Sequence, residues 1–499
     1  MNPWPAPAPA LDAPPLAHAD IRTIVLGILL AMFLGALDQT IVATALPTIG
    51  RELNDVENLS WVVTAYLLTA TAATPLYGKL SDIHGRRAML LTAIAIFVAA
   101  SLLCALAPNM TVLIVGRALQ GLGGGGLLSI AQVIVGDVVL PRERGRYQGY
   151  MSIVFGVASI GGPVIGGFFA QHLHWSLIFW INLPIGLFAL LMTNRVLKRL
   201  PRHERRHRLD VAGAALMMAA TVLLLLAITW GGARFPWASL QILALLAGSA
   251  LLWVAFVFRL LTAREPFLPL SLLTNPVVGF GTASVACVFG TMIGLSIFVP
   301  IYFQVVLGLS ASASGLALIP LMGGTVIGST ASGQAMSRLA HYKRAPFIGL
   351  AAALAALILL AAVPHRLSIP VVCSALGFIG LGMGSLFPVT TVSVQNAVAM
   401  HQLGTATGAM NFFRQLAGAI IVALFGAIVL GGAGPAGITV EALASHASGL
   451  AQTDLAHVFR WVFAVAAGWV GLGLVFLAVM EERPLRGRAR TREVAAPAE

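Results

Sequence analysis

The sequence predicts an all-α integral membrane protein of fourteen transmembrane helices, and three observations carry that prediction. Hydrophobic residues fill 58% of the 499 positions and charged residues only 10%, against about 25% charged in an ordinary soluble domain. Apolar runs of the ~20 residues needed to cross a bilayer recur along the whole chain. Lysine and arginine gather in the loops of one side. A formal net charge of +12 would suggest a nucleic-acid partner in a soluble protein. Here sidedness accounts for it, and no nucleic-acid partner is expected.

Taken in order, residues 1–20 open with a proline- and alanine-rich stretch that has no basic n-region. That reads as a disordered cytoplasmic tail, not a signal peptide. Fourteen apolar runs follow, near 22–47, 60–78, 88–107, 111–135, 147–170, 176–195, 211–230, 238–260, 277–305, 312–337, 346–363, 368–393, 404–430 and 458–480. With both termini on the cytoplasmic side, the inner loops hold Lys79, Arg86, Arg87, Arg142, Arg144, Arg146, the Arg195–Arg208 cluster, Arg338, Lys343, Arg344 and the Arg483–Arg492 tail. The outer side holds only Arg51, Arg234, Arg366 and Arg460. That asymmetry sets the orientation and favours an even number of spans.

An internal repeat divides the chain. Gly145-x-x-x-Gly149-x-Met151 opens the fifth run and Gly404-x-x-x-Gly408-x-Met410 the thirteenth; Leu119-Gln-Gly-Leu-Gly-Gly-Gly in the fourth is echoed by Phe378-Ile-Gly-Leu-Gly-Met-Gly in the twelfth. Gly333, with Arg338, Lys343 and Arg344 behind it, loosely echoes Gly78. The offset of eight runs predicts two parallel six-helix halves, 21–200 and 266–482, with two extra helices over 201–265 and a basic tail over 483–499. Duplicated halves of this kind hold their substrate near the midplane between them.

Candidate functional residues stand out against the apolar background. Gly78 to Arg87 reads Gly-Lys-Leu-Ser-Asp-Ile-His-Gly-Arg-Arg, a charged hairpin between the second and third runs. Asp82 can accept charge-assisted hydrogen bonds from Arg86 and Arg87, and Gly78 and Gly85 allow a tight or left-handed backbone. Asp137, at the end of the fourth run, is expected to join this cluster or to be a solvated loop charge. Asp38 lies about 13 Å from the outer end of the first run and Arg117 about 9 Å into the fourth, by the helical rise. A carboxylate at that depth is a functional candidate by default. Paired with Arg117, it can serve as a proton and cation switch or as a static ion pair. Gln120 lies one turn beyond Arg117 and opens Gln120-Gly-Leu-Gly-Gly-Gly-Gly126. Glycines this dense imply close helix contacts or a bent helix lining a cavity. In the fifth run Gly162 and Gly166 share one face at small-residue spacing, with Gly167 beside them, and Pro163 removes a backbone donor. This face suits either a rocking interface between halves or generic packing. Arg414, about 15 Å along the thirteenth run, is expected to meet a carbonyl or helix end or to contribute to the substrate site. Cys104, Cys287 and Cys373 each sit in an apolar run, as packing thiols do, so no disulfide or metal site is expected.

These motifs together resemble the major facilitator superfamily, in its 14-span drug:proton antiporter family (EmrB/QacA-like). The residues that carry the resemblance are Leu37-Asp-Gln-Thr-Ile-Val-Ala-Thr-Ala-Leu-Pro47, the Gly78–Arg87 loop, Arg117-Ala-Leu-Gln-Gly-Leu-Gly123, Gly162-Pro-Val-Ile-Gly-Gly167 and Asn182-Leu-Pro184-Ile-Gly186. The resemblance implies the major facilitator fold and export of small amphiphilic compounds in exchange for protons. Asp38, Arg117, Gln120 and Arg414 would then serve coupling or substrate contact, and the Gly78 loop with Asp137 would gate the cytoplasmic side. Some relatives carry acidic residues in the tenth and thirteenth spans to meet dicationic drugs, and this chain has none there. A permanently dicationic cargo is therefore disfavoured, while neutral, zwitterionic, monocationic and anionic amphiphiles stay open.

The expectation is a multi-pass protein of the cytoplasmic membrane, not an enzyme, surrounded by membrane lipids. A monomer without cofactor is expected, with a periplasmic adaptor as a candidate partner. A dedicated exporter of one metabolite, siderophore or antibiotic is the alternative. A lipid-modifying enzyme is a weaker one: it needs paired carboxylates or a His-rich motif at the membrane surface, and the outer histidines His172 and His174, with no acidic companion nearby in sequence, are a poor candidate. No phosphate-cradling loop occurs, so an ion gradient is the expected energy source.

Overall fold

The computed structural model describes residues 18–199, 209–232, 234–339, 341–364, 367–432 and 452–485. The proline-rich opening of the N-terminal tail, most of the Arg195–Arg208 cluster, Arg366, most of the Gly431–His457 connection and most of the basic C-terminal tail lie outside the described residues. Long helices make up nearly everything described, and the one β pairing among these residues is an isolated Gly231–Phe235 bridge.

The N-terminal six are α1 (His18–Glu52), α2 (Ser60–His84), α3 (Arg86–Ala105), α4 (Met110–Val138), α5 (Pro141–His172) and α6 (Leu177–Val196, interrupted near Ile181). Two more follow, α7 (Val211–Trp230) and α8 (Leu240–Thr262). The second six are α9 (Pro276–Val305), α10 (Ile319–Arg338), α11 (Arg344–Ala362), α12 (Ile369–Asn396), α13 (Leu403–Gly432) and α14 (Gln452–Val479). Thirteen helices among the described residues are long and apolar enough to cross a membrane. The remaining long helix is α2, whose 25 residues would also span, but Thr64, Thr69, Thr71 and Thr74 dilute its hydropathy. The fourteen runs of the sequence therefore each become a helix.

The second run differs from expectation at its end. Gly78 to His84 is not a loop: α2 continues through it and α3 starts at Arg86, leaving only Gly85 outside a helix at φ +88°. A left-handed residue there costs glycine almost nothing, so a single residue reverses the chain.

Each six-helix half has its own apolar core. One is centred on Ile28, Phe97, Ile130 and Ile134, and the other on Tyr302, Leu357, Ile379 and Phe463. In a bilayer the apolar lipid gives helices little drive to associate, so close packing and polar contacts decide which helices touch. Glycine supplies that closeness between the halves. Gly78 of α2 meets the backbone of Gly404 and Gly408 in α13, and Gly145 of α5 meets Gly333 in α10, each so closely that a Cβ would collide with the opposing backbone. The repeat thus pairs crosswise, the α2-type glycine of each half packing on the GxxxG of the other.

The closure is confined to the arginine-rich end. Along one face of α5, Gly145, Gly149, Ser152 and Gly156 meet Gly333, Thr330, Ser329 and Val326 of α10. The same face continues as Ile160, which is 61% exposed, and Gly167, where a Cβ would meet nothing within 4 Å. All hydrogen bonds between the halves among the described residues also lie in the arginine-rich half of the bundle. The two halves form a V, joined at the arginine-rich face and parted at the other.

The inserted pair closes one seam of the V. Asp210 caps α7 through the Gly213 N–H and takes a 3.1 Å hydrogen bond from Arg259 of α8. Met217, Leu225 and Phe256 of the pair pack on Leu68 of α2 and on Phe412 and Leu416 of α13, and Trp61 meets Trp230 edge-on at 5.6 Å.

A valine at Gly333 puts a branched side chain where the Gly145 backbone now sits, an overpacking that costs about 1–3 kcal/mol. Gly333→Val is expected to part the arginine-rich end. A cysteine introduced at Ser329 should then react with maleimide several-fold faster than with Gly333 in place, and unchanged reactivity would remove the glycine contact from the closure.

Candidate functional site

A polar site is built where α1, α3, α4 and α6 converge in the N-terminal half. Asp38 is the one acidic residue among the described residues set more than a turn inside any of the fourteen helices. It is fully buried, as is Gln120, and Arg117 is only 1% exposed. Arg117 donates to Asp38 Oδ2 at 2.6 Å, while Gln120 Nε2 and Asn182 Nδ2 both donate to Oδ1, at 2.8 and 2.9 Å. Ser101 Oγ accepts a second hydrogen bond from Gln120 at 2.8 Å. Arg117 also donates through Nε to the Val62 carbonyl at 2.9 Å and lies 4.3 Å from the centre of the Tyr66 ring. The residues singled out as Asp38, Arg117 and Gln120 are thus one cluster, shut off from solvent.

Glycines make the cluster possible. Gly121, Gly124 and Gly125 bring α4 against Tyr66, Thr69 and Ala70 of α2, and Gly123 and Gly126 bring it against Ala93 and Phe97 of α3. Of the two readings of this glycine run, the close contact is the one observed. Arg117 would not reach between α1 and α2 if α4 stood a side chain further out.

Asn182 and Ser101 were not picked out by chemistry. Asn182 sits at the break in α6, inside a motif that looked only like a family marker, and Ser101 is a lone hydroxyl in an apolar helix. The available signal is that a buried carboxylate needs more hydrogen-bond donors than one arginine supplies.

The second cluster lies at the arginine-rich end. Asp82 accepts from the backbone N–H groups of Gly404 and Thr405 at 3.0 and 2.7 Å, and from Thr405 Oγ1 at 2.6 Å. These are orphan donors of the first turn of α13, where the helix dipole favours a carboxylate. Arg86 bridges Asp82 at 2.5 Å and Asp137 at 2.7 Å, and reaches the Met400 carbonyl at 3.4 Å. Asp137 is therefore part of the cluster. Arg87 departs from expectation: it donates to Asn194 at 2.5 Å, away from Asp82. On the other seam Arg142 donates to the Ser337 carbonyl at 3.1 Å, with no carboxylate involved.

The glycine-proline motif of α5 also departs from its rocking-interface reading. Gly162 and Gly166 pack on Thr40, Ile41 and Thr44 of α1, inside the same half, and Thr40 Oγ1 donates to the Ala158 carbonyl at 2.8 Å. Gly167 has nothing within reach, and Pro163 is exposed on the open stretch of α5. The physical reason is angular: residues i and i+4 share a face, and the face that meets α10 lies about 100° away. Arg414 meets neither carbonyl nor helix end. It lies 4.6 Å from the centre of the Phe289 ring and makes no hydrogen bond or ion pair with the described residues.

Two outcomes are expected. Asp38→Asn and Arg117→Gln should each destabilise the folded protein by about 3–5 kcal/mol, since each strands a buried charge or donor. The double change should cost clearly less than the two together, read as melting shifts in a double-mutant cycle. At the other cluster, Asp82→Asn should weaken the hold on α13 by about 1 kcal/mol, read as faster maleimide labelling of a cysteine at Thr405.

The comparisons with known proteins follow the same lines. The family model described as Major Facilitator Superfamily matches residues 28–422. The chain is similar to the multidrug transporter protein MdtP of Bacillus subtilis, 36% identical over 409 residues, covering 82% of this chain and 75% of that one. It is 33% identical over 420 residues to Multidrug resistance protein 3 of the same organism, covering 84% and 81%. Among solved structures, a bacterial homologue of the iron transporter ferroportin in an outward-facing state superposes with a TM-score of 0.63 at 13% identity, covering 93% and 99%. Its likeness bears on the fold alone. With two crosswise-paired six-helix halves, and a family model matched over most of its length, the chain belongs to the Major Facilitator Superfamily.

Proposed function

We propose that this transporter exports amphiphilic small molecules across the cytoplasmic membrane in exchange for protons, by alternating access between its two halves. Relatives named as multidrug transporters and efflux pumps support export of a broad cargo. The observation that carries proton exchange is Asp38, the one deep carboxylate among the described residues, held by Arg117, Gln120 and Asn182. A carboxylate can hold either a proton or its hydrogen-bond donors, and here those donors come from two other helices, Arg117 and Gln120 from α4 and Asn182 from α6. A shift of α4 or α6 against α1 within the N-terminal half, coupled to the rocking, would exchange those donors for a proton and release it again.

In this reading the arginine-rich face is cytoplasmic, with both termini, as the loop charges require. The V then opens outward, and the Asp82–Arg86–Asp137 cluster with the two glycine pairs forms the closed cytoplasmic gate. A monomer suffices, since all parts of the pathway lie in one chain. A periplasmic adaptor would dock on the open outer face. A dedicated exporter of one compound uses the same machinery and differs only in the breadth of its cargo.

The test is proton movement in proteoliposomes on addition of a panel of amphiphiles. Wild type should move protons when cargo is added and Asp38→Asn should not, although it still binds cargo. Equal proton movement in both would take Asp38 out of the coupling step.

A further inference from the structure

The deep charges of the bundle do not balance. Asp38 and Arg117 neutralise each other within the N-terminal half. Arg414, eleven residues into α13, has no carboxylate partner among the described residues, and its Nε is shut off from solvent without a hydrogen-bond acceptor among them. Arginine cannot shed its charge in a protein, and a cation at this depth is costly until it meets an anion or a wet cavity. Its position puts it between the halves. Asn411, one turn before it, donates to Gln132 of α4 at 2.9 Å, and Gln415, next to it, accepts from Thr71 of α2 at 3.3 Å. These are among the last cross-half hydrogen bonds before the V opens. Behind the guanidinium stands the Phe289 ring, itself edge-on to Phe387 at 6.0 Å. Asn411 Oδ1 is also buried without a donor.

We propose that Arg414, backed by Phe289, binds the anionic group of the cargo, so that the transported class is an amphiphile carrying a carboxylate or sulfonate on an apolar body. This rests on the export reading and names its cargo. Among the described residues a cationic cargo would find no unpaired carboxylate at this depth, because Asp38 is already held by three donors. An anionic cargo finds a fixed guanidinium whose planar fork suits a carboxylate and an aromatic wall for its apolar part.

The experiment uses full-length protein in phosphatidylcholine nanodiscs and a matched pair of fluorescent probes, dansylglycine and dansylcadaverine, which share a ring system and differ in the sign of their charge. The expected result is that Arg414→Gln weakens dansylglycine binding about tenfold or more, Arg414→Lys restores part of it, and dansylcadaverine binding is unchanged. Because a variant can misfold, wild type is also titrated by competition. Dodecanoate should displace dansylglycine and dodecyltrimethylammonium should not. Equal weakening of both probes, unchanged dansylglycine binding in folded Arg414→Gln, or displacement by either detergent alike overturns the proposal. Displacement by phosphatidylglycerol nanodiscs overturns the cargo assignment in favour of a lipid headgroup. Binding is read here without transport, so loss of proton exchange would sink the antiport reading and leave this site standing, and the reverse also holds.

Discussion

Two glycine pairs, Gly78 against Gly404 and Gly145 against Gly333, bring backbone onto backbone across the halves, and the rest of the molecule is arranged around that contact. In lipid, apolar side chains gain little by leaving one apolar surroundings for another, so helices associate where they approach closely enough for dispersion and short polar contacts to add up. The approach at Gly78 is what brings the first turn of α13 within reach of Asp82. With any side chain at Gly404 the carboxylate would stand too far from the Gly404 and Thr405 N–H groups to bond them. The charged latch therefore depends on the uncharged contact. Among the described residues the other seam shows the same backbone approach with no carboxylate bridging it, so the ion cluster adds to the closure at one seam only.

The buried Asp38 site follows from the same device used inside a half. Glycines of α4 let α2 and α3 close around it, which shuts it off from solvent and leaves Arg117, Gln120 and Asn182 to bond the carboxylate. Removing water raises the stakes of every contact, because an unpaired charge in a dry site is far more costly than one in solution. The proposed proton exchange rests on this one arrangement of donors around a buried carboxylate. Arg414 is the counterpoint in the C-terminal half: a deep charge with an aromatic neighbour and no counter-ion among the described residues.

The inserted helices make the two seams unequal. α7 and α8 pack over α2 and α13, while the α5–α10 seam keeps Ile160, Val164, Ile319 and Ile327 more than half exposed. In a bilayer those side chains meet lipid at no cost, so the exposure is ordinary for a membrane protein. The structural consequence is that one side of the V is walled by protein and the other by lipid.

Composition and the recurrence of apolar runs carry the number of helices and their order, because a bilayer imposes a length and a polarity on every span and leaves little room for alternatives, while the eight-helix offset rests on the repeated glycine motifs. Deep ionisable residues such as Asp38 and Arg117 were visible for the same reason: nothing apolar hides them. What stayed out of reach was partnership. The chain does not say that Gly162 and Gly166 face α1 while Gly145 faces α10, because that depends on how a helix is rotated in its bundle. Nor does it say that Arg87 turns to Asn194, that Gly78 lies inside a helix, or that Asn182 completes the Asp38 site. Those outcomes rest on distances of a few ångströms between segments far apart in sequence. Only the packing of whole helices sets such distances, so tertiary structure decided which of the conspicuous residues share a site and which stand alone.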